Sequence, residues 1–149
     1  MSLELKINDD IKAAMLARDA AKLEAIRAIK AALLLEKAKE GTTGPSEEVE
    51  LKILQKLVKQ RRESAEIYAQ ANRQDLASKE LYDASVIETY LPQQMSEADV
   101  ANVIRRIVEE TGATSVKDMG KVMGAASKEL AGKADNKMIS VIVKSFLGG

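Results

Sequence analysis

Residues 46–71 read SEEVELKILQKLVKQRRESAEIYAQA, and the spacing of their apolar positions decides the fold. Leu54, Leu57, Val58, Ala65 and Tyr68 recur at the three- and four-residue spacing of one helical face, not at the alternation of a strand. Ser46 stands where an N-cap belongs. Glu47 and Glu48 then place negative charge at the positive end of the helix dipole. The stretch predicts a helix from just after Ser46 to about Ala71.

The flanking sequence follows the same rule. Upstream, Ser2 is the N-cap of a first helix with Leu3, Ile7, Ile11 and Met15 on one face. That stripe breaks at Arg18-Asp19, and a second helix runs from about Ala20 to Glu40 with Leu23, Ile26, Ile29 and Leu33 as its apolar side. Gly41-Thr42-Thr43-Gly44-Pro45 is a loop, since Gly ends a helix and Pro cannot continue one. Downstream, the junction Asn72-Arg73-Gln74-Asp75 opens a fourth helix, from about Arg73 to Tyr90, that presents Ala77, Leu81, Ala84, Ile87 and Leu91.

Leu91-Pro92 is the domain boundary, because the residue before Pro is pushed out of helical geometry. Beyond it, Ser96 and Asp99 form a capping-box-like pair, and Met95 with Val100 a hydrophobic staple. A fifth helix buries Val100, Val103, Ile104, Ile107 and Val108 and ends at Gly112. Ser115 caps a short turn leading to Val122, Met123, Ala126 and Leu130, which stops at Gly132. Asp135 caps the last helix, with Ile139, Ile142, Val143 and Phe146 as its stripe. Helices this short are marginal alone and must bury these faces against one another. The expected architecture is all-α: a four-helix subdomain over residues 1–92 and a three-helix-bundle tail over 93–149.

Composition narrows the chemistry. The 149 residues contain no Cys and no His, which removes disulfides, thiolate zinc sites, Cys nucleophiles and His-based triads. Apolar residues make up 46% and aromatics 3%, so the core is aliphatic. No apolar run approaches the roughly 18 residues of a membrane span, and the start, Met1-Ser2-Leu3-Glu4, does not read as a signal peptide. The expectation is a soluble cytoplasmic protein with no membrane contact, no metal and no cofactor.

Basic and acidic residues balance at 23 each, so no global field draws the chain to nucleic acid. The charges are unevenly spread. Residues 112–149 hold six Lys against Asp118, Glu129 and Asp135, and residues 52–62 hold Lys52, Lys56, Lys59, Arg61 and Arg62 with no acid.

Three places stand out. Arg61 falls near the middle of the apolar face of the third helix, and a buried guanidinium needs a partner, for which Glu80 of the next helix is the obvious choice. A structural ion pair is one reading of Arg61; a ligand or RNA contact is the other. Lys52, Lys56 and Lys59 share the opposite side of that helix, which fits a solvated face or a nucleic-acid stripe. Third, Lys117-Asp118-Met119-Gly120-Lys121-Val122-Met123-Gly124 contains a small-xxx-small pair that would let another helix approach closely. Gly120 near a helix start would also leave N–H groups open to phosphate. Lys121 stands beside it, and Lys133 and Lys137 flank the helix start at Asp135. These residues, with Lys117, form a candidate phosphate-binding edge. No catalytic constellation accompanies them, because the carboxylates are scattered at helix-surface spacings among Lys and Arg.

The same residues carry a family resemblance. Lys59-Gln60-Arg61-Arg62-Glu63-Ser64, Ala71-Asn72-Arg73 with Asp75-Leu76-Ala77, Glu80, and Tyr90-Leu91-Pro92-Gln93-Gln94-Met95-Ser96 resemble the signature of the YqeY family. Asp118 through Gly124 and Gly132-Lys133-Ala134-Asp135 do so too. This second motif is shared with the tail domain of the tRNA-dependent amidotransferase B subunit. The match covers nearly the whole chain, with Asn136 standing where the family often has Gly.

The resemblance implies a long-helix N-terminal part, a three-helix tail and, by analogy with the amidotransferase tail, contact with tRNA. It leads to a tRNA-binding accessory protein that is not catalytic alone. Its phosphate contacts would be Lys117, Gly120, Lys121, Lys133 and Lys137. A module that docks on an amidotransferase or the translation machinery is the second reading. Carbon–nitrogen ligase activity with glutamine as donor is the third, but a shared fold does not transfer chemistry.

Overall fold

A computed structural model describes residues 2–40 and 44–148 of the chain. Seven α-helices and one 3-10 turn make up the regular structure among the described residues, with no strand. Of the expected loop, Gly41, Thr42 and Thr43 lie outside them. The chain divides into two compact units, Met1–Leu91 and Pro92–Gly149.

The first unit holds α1 (Leu3–Leu16), α2 (Ala20–Glu40), α3 (Glu47–Gln70) and α4 (Gln74–Glu88). Ser2 and Ser46 cap α1 and α3 by accepting from the N–H groups of Leu5 and Val49. Asp19 does the same for α2, accepting from Lys22 N–H at 3.1 Å. The α1–α2 turn places Arg18 at φ 57 and the α3–α4 turn places Asn72 at φ 59; such left-handed positions are uncommon outside Gly. Ile7, Ile26, Ile29, Leu54, Val58 and Ile87 are buried in one cluster.

Two of the expected stripes are rotated. Met15 of α1 is exposed and Ala14 is buried in its place, while Leu81 of α4 is exposed and Asp83 and Val86 are buried. On α4 the inward face is centred between Asp83 and Ile87, because Asp83 is turned toward Arg61 of α3. A carboxylate therefore holds a position that an apolar count assigns to the surface.

The second unit holds α5 (Glu97–Thr111), a 3-10 turn at Val116–Asp118, α6 (Met119–Glu129) and α7 (Asn136–Phe146). Ser96, Ser115 and Asp135 accept from Asp99, Lys117 and Lys137 N–H at the starts of α5, the 3-10 turn and α7. Gly112 closes α5 at φ 68. Val100, Ile104, Ile107, Val122, Ala126, Leu130, Ile139 and Val143 form the core, with Met95, Met123 and Phe146 against it. Each of the three helices contacts the other two. The Gln94 side chain also donates to Gly132 O, and Met95 N–H to Lys133 O, so the residues before α5 are tied to the α6–α7 turn.

Candidate nucleic-acid interface

Val122 and Ala126 fix the rotation of α6, since both are fully buried. At 100° per residue, the side opposite them carries Gly120, Lys121, Gly124 and Lys128, and all four are exposed. A methyl group built on Gly120 or Gly124 would meet nothing within 4 Å. This corrects the expectation that the two glycines admit a neighbouring helix of the fold. The helices that touch α6 do so on its other side, and the Gly face is bare backbone.

Lysines line this bare face. Lys121 and Lys128 are seven residues apart, two turns along one side, which separates their Cα atoms by about 10 Å. Lys117 precedes them in the 3-10 turn, and Lys133 and Lys137 follow past the end of α6; all are exposed. Among the described residues none of these lysines, nor Lys144 on α7, has a carboxylate within ion-pair reach. The Lys121 ammonium makes only a long contact, 3.4 Å, to Thr111 O. Lys128 was not singled out in the sequence, though its seven-residue spacing from Lys121 was a usable signal.

The nearby acids are engaged elsewhere. Arg106 of α5 reaches both Glu110, at 3.2 Å, and Glu129 at the end of α6. Hydrogen bonds donated to Glu129 first and Glu110 second hold the Arg106 guanidinium pKa above its ordinary value. Asp118 accepts from Thr114 N–H and Asp135 from Lys137 N–H. A carboxylate thus stands at the start of each of α6 and α7, where it offsets the helix dipole as an anion site. The two starts are also separated: α7 begins after α6 ends, and Gly120 is roughly 15 Å from that end. The expected edge of two helix starts resolves into a row of lysines along α6 and past it.

In the first unit, Arg61 is partly buried, with its Nε 3.8 Å from Glu80 Oε2 and 4.0 Å from Asp83 Oδ2. Asp83 is 8% exposed; burial pushes its pKa up, against the pull of Lys79 and Arg61. The expectation for Arg61 named Glu80 and missed Asp83, whose carboxylate is the more deeply buried of the two. Around this centre, Arg62 pairs with Glu88, and Lys79 with Glu24 at 2.8 Å. Lys52 pairs with Glu48 one turn back on α3, while Lys56 and Lys59 are exposed. The Tyr90 hydroxyl donates to Asp10, and burial together with that bond drives its pKa upward.

No group of three or more Asp or Glu residues among the described residues is arranged to hold a metal ion. No helix among them is long and apolar enough to cross a membrane.

Comparison with known proteins agrees with the motifs. The family model described as Yqey-like protein matches residues 4–147. A similar protein is the one named "Altered inheritance of mitochondria protein 41, mitochondrial" from Vanderwaltozyma polyspora. It is 30% identical over 150 residues, a match that covers 95% of this chain and 80% of that protein. The chain belongs to the Yqey-like family.

Proposed function

We propose that this Yqey-like chain is an accessory protein that binds tRNA through the outward face of α6, without catalysing a reaction itself. One observation carries the reading: Gly120 and Gly124 expose bare helix backbone beside Lys121 and Lys128, with open space above them. A sugar-phosphate strand can lie closer to a helix there than any side chain would permit. The two lysine Cα atoms are about 10 Å apart, so the flexible lysine side chains can reach phosphates one or two nucleotides apart. Lys117, Lys133 and Lys137 extend the row.

Such contacts position a nucleic acid and carry no sequence information. With aromatics at 3% of the chain, stacking on splayed bases has few residues to draw on. The ligand expected is therefore a folded RNA read by its backbone, and the resemblance to the amidotransferase tail points to tRNA. The cytoplasm is our proposal for the compartment. The similar yeast protein carries "mitochondrial" in its name, and the reading requires only a compartment that contains tRNA.

The test is binding of labelled tRNA as a function of salt. Wild-type affinity should fall steeply with salt, since each neutralised phosphate releases counterions, at a logarithmic slope of about 0.7–0.9 per contact. Lys121→Glu with Lys133→Glu should abolish binding and leave the helical signal intact. Lys52→Glu with Lys56→Glu, the same charge change on α3, should leave most of it. The opposite outcome moves the site to the first unit. Absence of binding by wild-type protein at low salt ends the tRNA reading and leaves docking on a translation protein in its place.

A further inference from the structure

In the first unit, a cleft is lined by residues of α1, α2 and the chain entering α3. Glu4, Ile7 and Asn8 share one face of α1, and Lys30, Leu33, Leu34 and Lys37 share one face of α2. Pro45 and Glu50 complete the lining. The space is about 380 Å³, counting the part open to solvent, which is at the small end of the roughly 300–1,000 Å³ range of ligand sites. Ile7, Leu33, Leu34 and Pro45 supply an apolar wall, and Leu34 is half exposed. The tRNA reading uses none of these residues.

Three polar groups beside this wall lack partners among the described residues. Asn8 Oδ1 is buried and accepts no hydrogen bond, an arrangement that costs free energy until a donor arrives. The partly buried Glu50 carboxylate makes no ion pair. Burial, followed by the charges of Glu47 and Glu4, pushes its pKa up. Lys30, also partly buried, has no carboxylate within ion-pair reach. The two remaining charges answer each other, with Lys37 Nζ 3.9 Å from Glu4. The cleft therefore lacks a cationic donor for Asn8 and Glu50 and an anion for Lys30. Both signs on a short apolar stem describe one class of small molecule. We propose that this cleft binds a free aliphatic α-amino acid, its ammonium donating to Asn8 Oδ1 and Glu50, its carboxylate facing Lys30 and its side chain against Ile7, Leu33 and Leu34.

The test is an amide NMR titration of the labelled full-length protein with L-leucine and with two truncated probes on the same stem. Isoamylamine lacks the carboxylate, and isocaproate lacks the ammonium. Leucine should shift amides of the segments that line the cleft. Each truncated probe should bind at least about tenfold more weakly, the size of a lost hydrogen bond to a charged group. Lys30→Met should reduce leucine affinity to that of isoamylamine on wild type and leave isoamylamine affinity unchanged. Asn8→Leu should abolish leucine binding yet melt no lower than wild type, because it removes an acceptor that has no partner. No shift with leucine, valine or methionine would overturn the proposal and leave the cleft to solvent. Isoamylamine binding as tightly as leucine would overturn it too, by showing that Lys30 meets no carboxylate, and so would an Asn8→Leu protein with wild-type affinity. None of these results involves RNA, so the reading of α6 stands or falls separately.

Discussion

Replacing Gly120 and Gly124 together by Ala should make the protein more stable. Inside a helix, Gly is less favourable than Ala by about 0.8–1 kcal/mol, through the backbone freedom it surrenders on folding. Gly124 is the sixth residue of the 11-residue α6 and should recover most of that. Gly120 is the second, in a first turn whose N–H groups have no helical partners, and should recover about half. Neither added methyl meets an atom within 4 Å, so no packing cost offsets the gain, and the pair should contribute roughly 1–1.5 kcal/mol. For a unit the size of residues 92–149, that corresponds to a melting-temperature rise of about 5–10 °C.

The assay is calorimetry or circular dichroism on the full chain, following the transition of the second unit. Gly112→Ala is the internal control. A methyl there also meets nothing, but the backbone sits at φ 68, so the left-handed penalty of about 1–2 kcal/mol should make this variant less stable. If the double Ala variant melts at or below the wild-type temperature while Gly112→Ala behaves as stated, the two glycines are in contact with something. The bare-face argument would then fall. If stability rises, Gly124→Leu should still fold yet bind tRNA more weakly, because its side chain fills the space above the helix.

Residues 92–149, expressed alone, should show helical circular dichroism and a cooperative but low-temperature melt, since small cores are marginal; an unfolded fragment would contradict the division after Leu91. Arg61→Ala should cost about 1–3 kcal/mol by denaturant titration, less than a fully buried pair because its ion-pair distances are long, and Lys56→Ala under about 0.5 kcal/mol. Equal small effects would mean that Arg61 carries no structural load. Asp83→Asn should be neutral to stabilising at pH 7, with any gain vanishing as pH falls below the ordinary Asp range. The sign follows from a folded-state pKa raised by burial: the wild-type carboxyl contributes stability while protonated and loses it as pH rises through that pKa. Marked destabilisation by Asp83→Asn at pH 7 would show that attraction to Arg61 and Lys79 outweighs burial.

The fold was legible because most helix starts have a local chemical cause. Ser2, Ser46, Ser96, Ser115 and Asp135 each accept from the N–H two or three residues on, and such caps operate within a single turn. What could not be read was rotation about a helix axis, where a position's fate depends on a residue far away in sequence. Leu81 was placed inside by its spacing, yet Asp83 takes the buried position because Arg61 faces it from α3. The close-packing reading of the α6 glycines failed for a related reason. A small-xxx-small pair is the same string whether it admits a helix of its own fold or leaves a surface bare. Only the positions of Val122 and Ala126 in the core decide between the two. The Lys-rich composition of residues 112–149 was visible from the start, but a count of lysines does not say whether acids cancel them. That answer lies in a contact between Arg106 and Glu129, 23 residues apart in sequence. Which charges of residues 112–149 are paired thus depends on contacts between helices, and it becomes readable only once the three-helix core has set them in place.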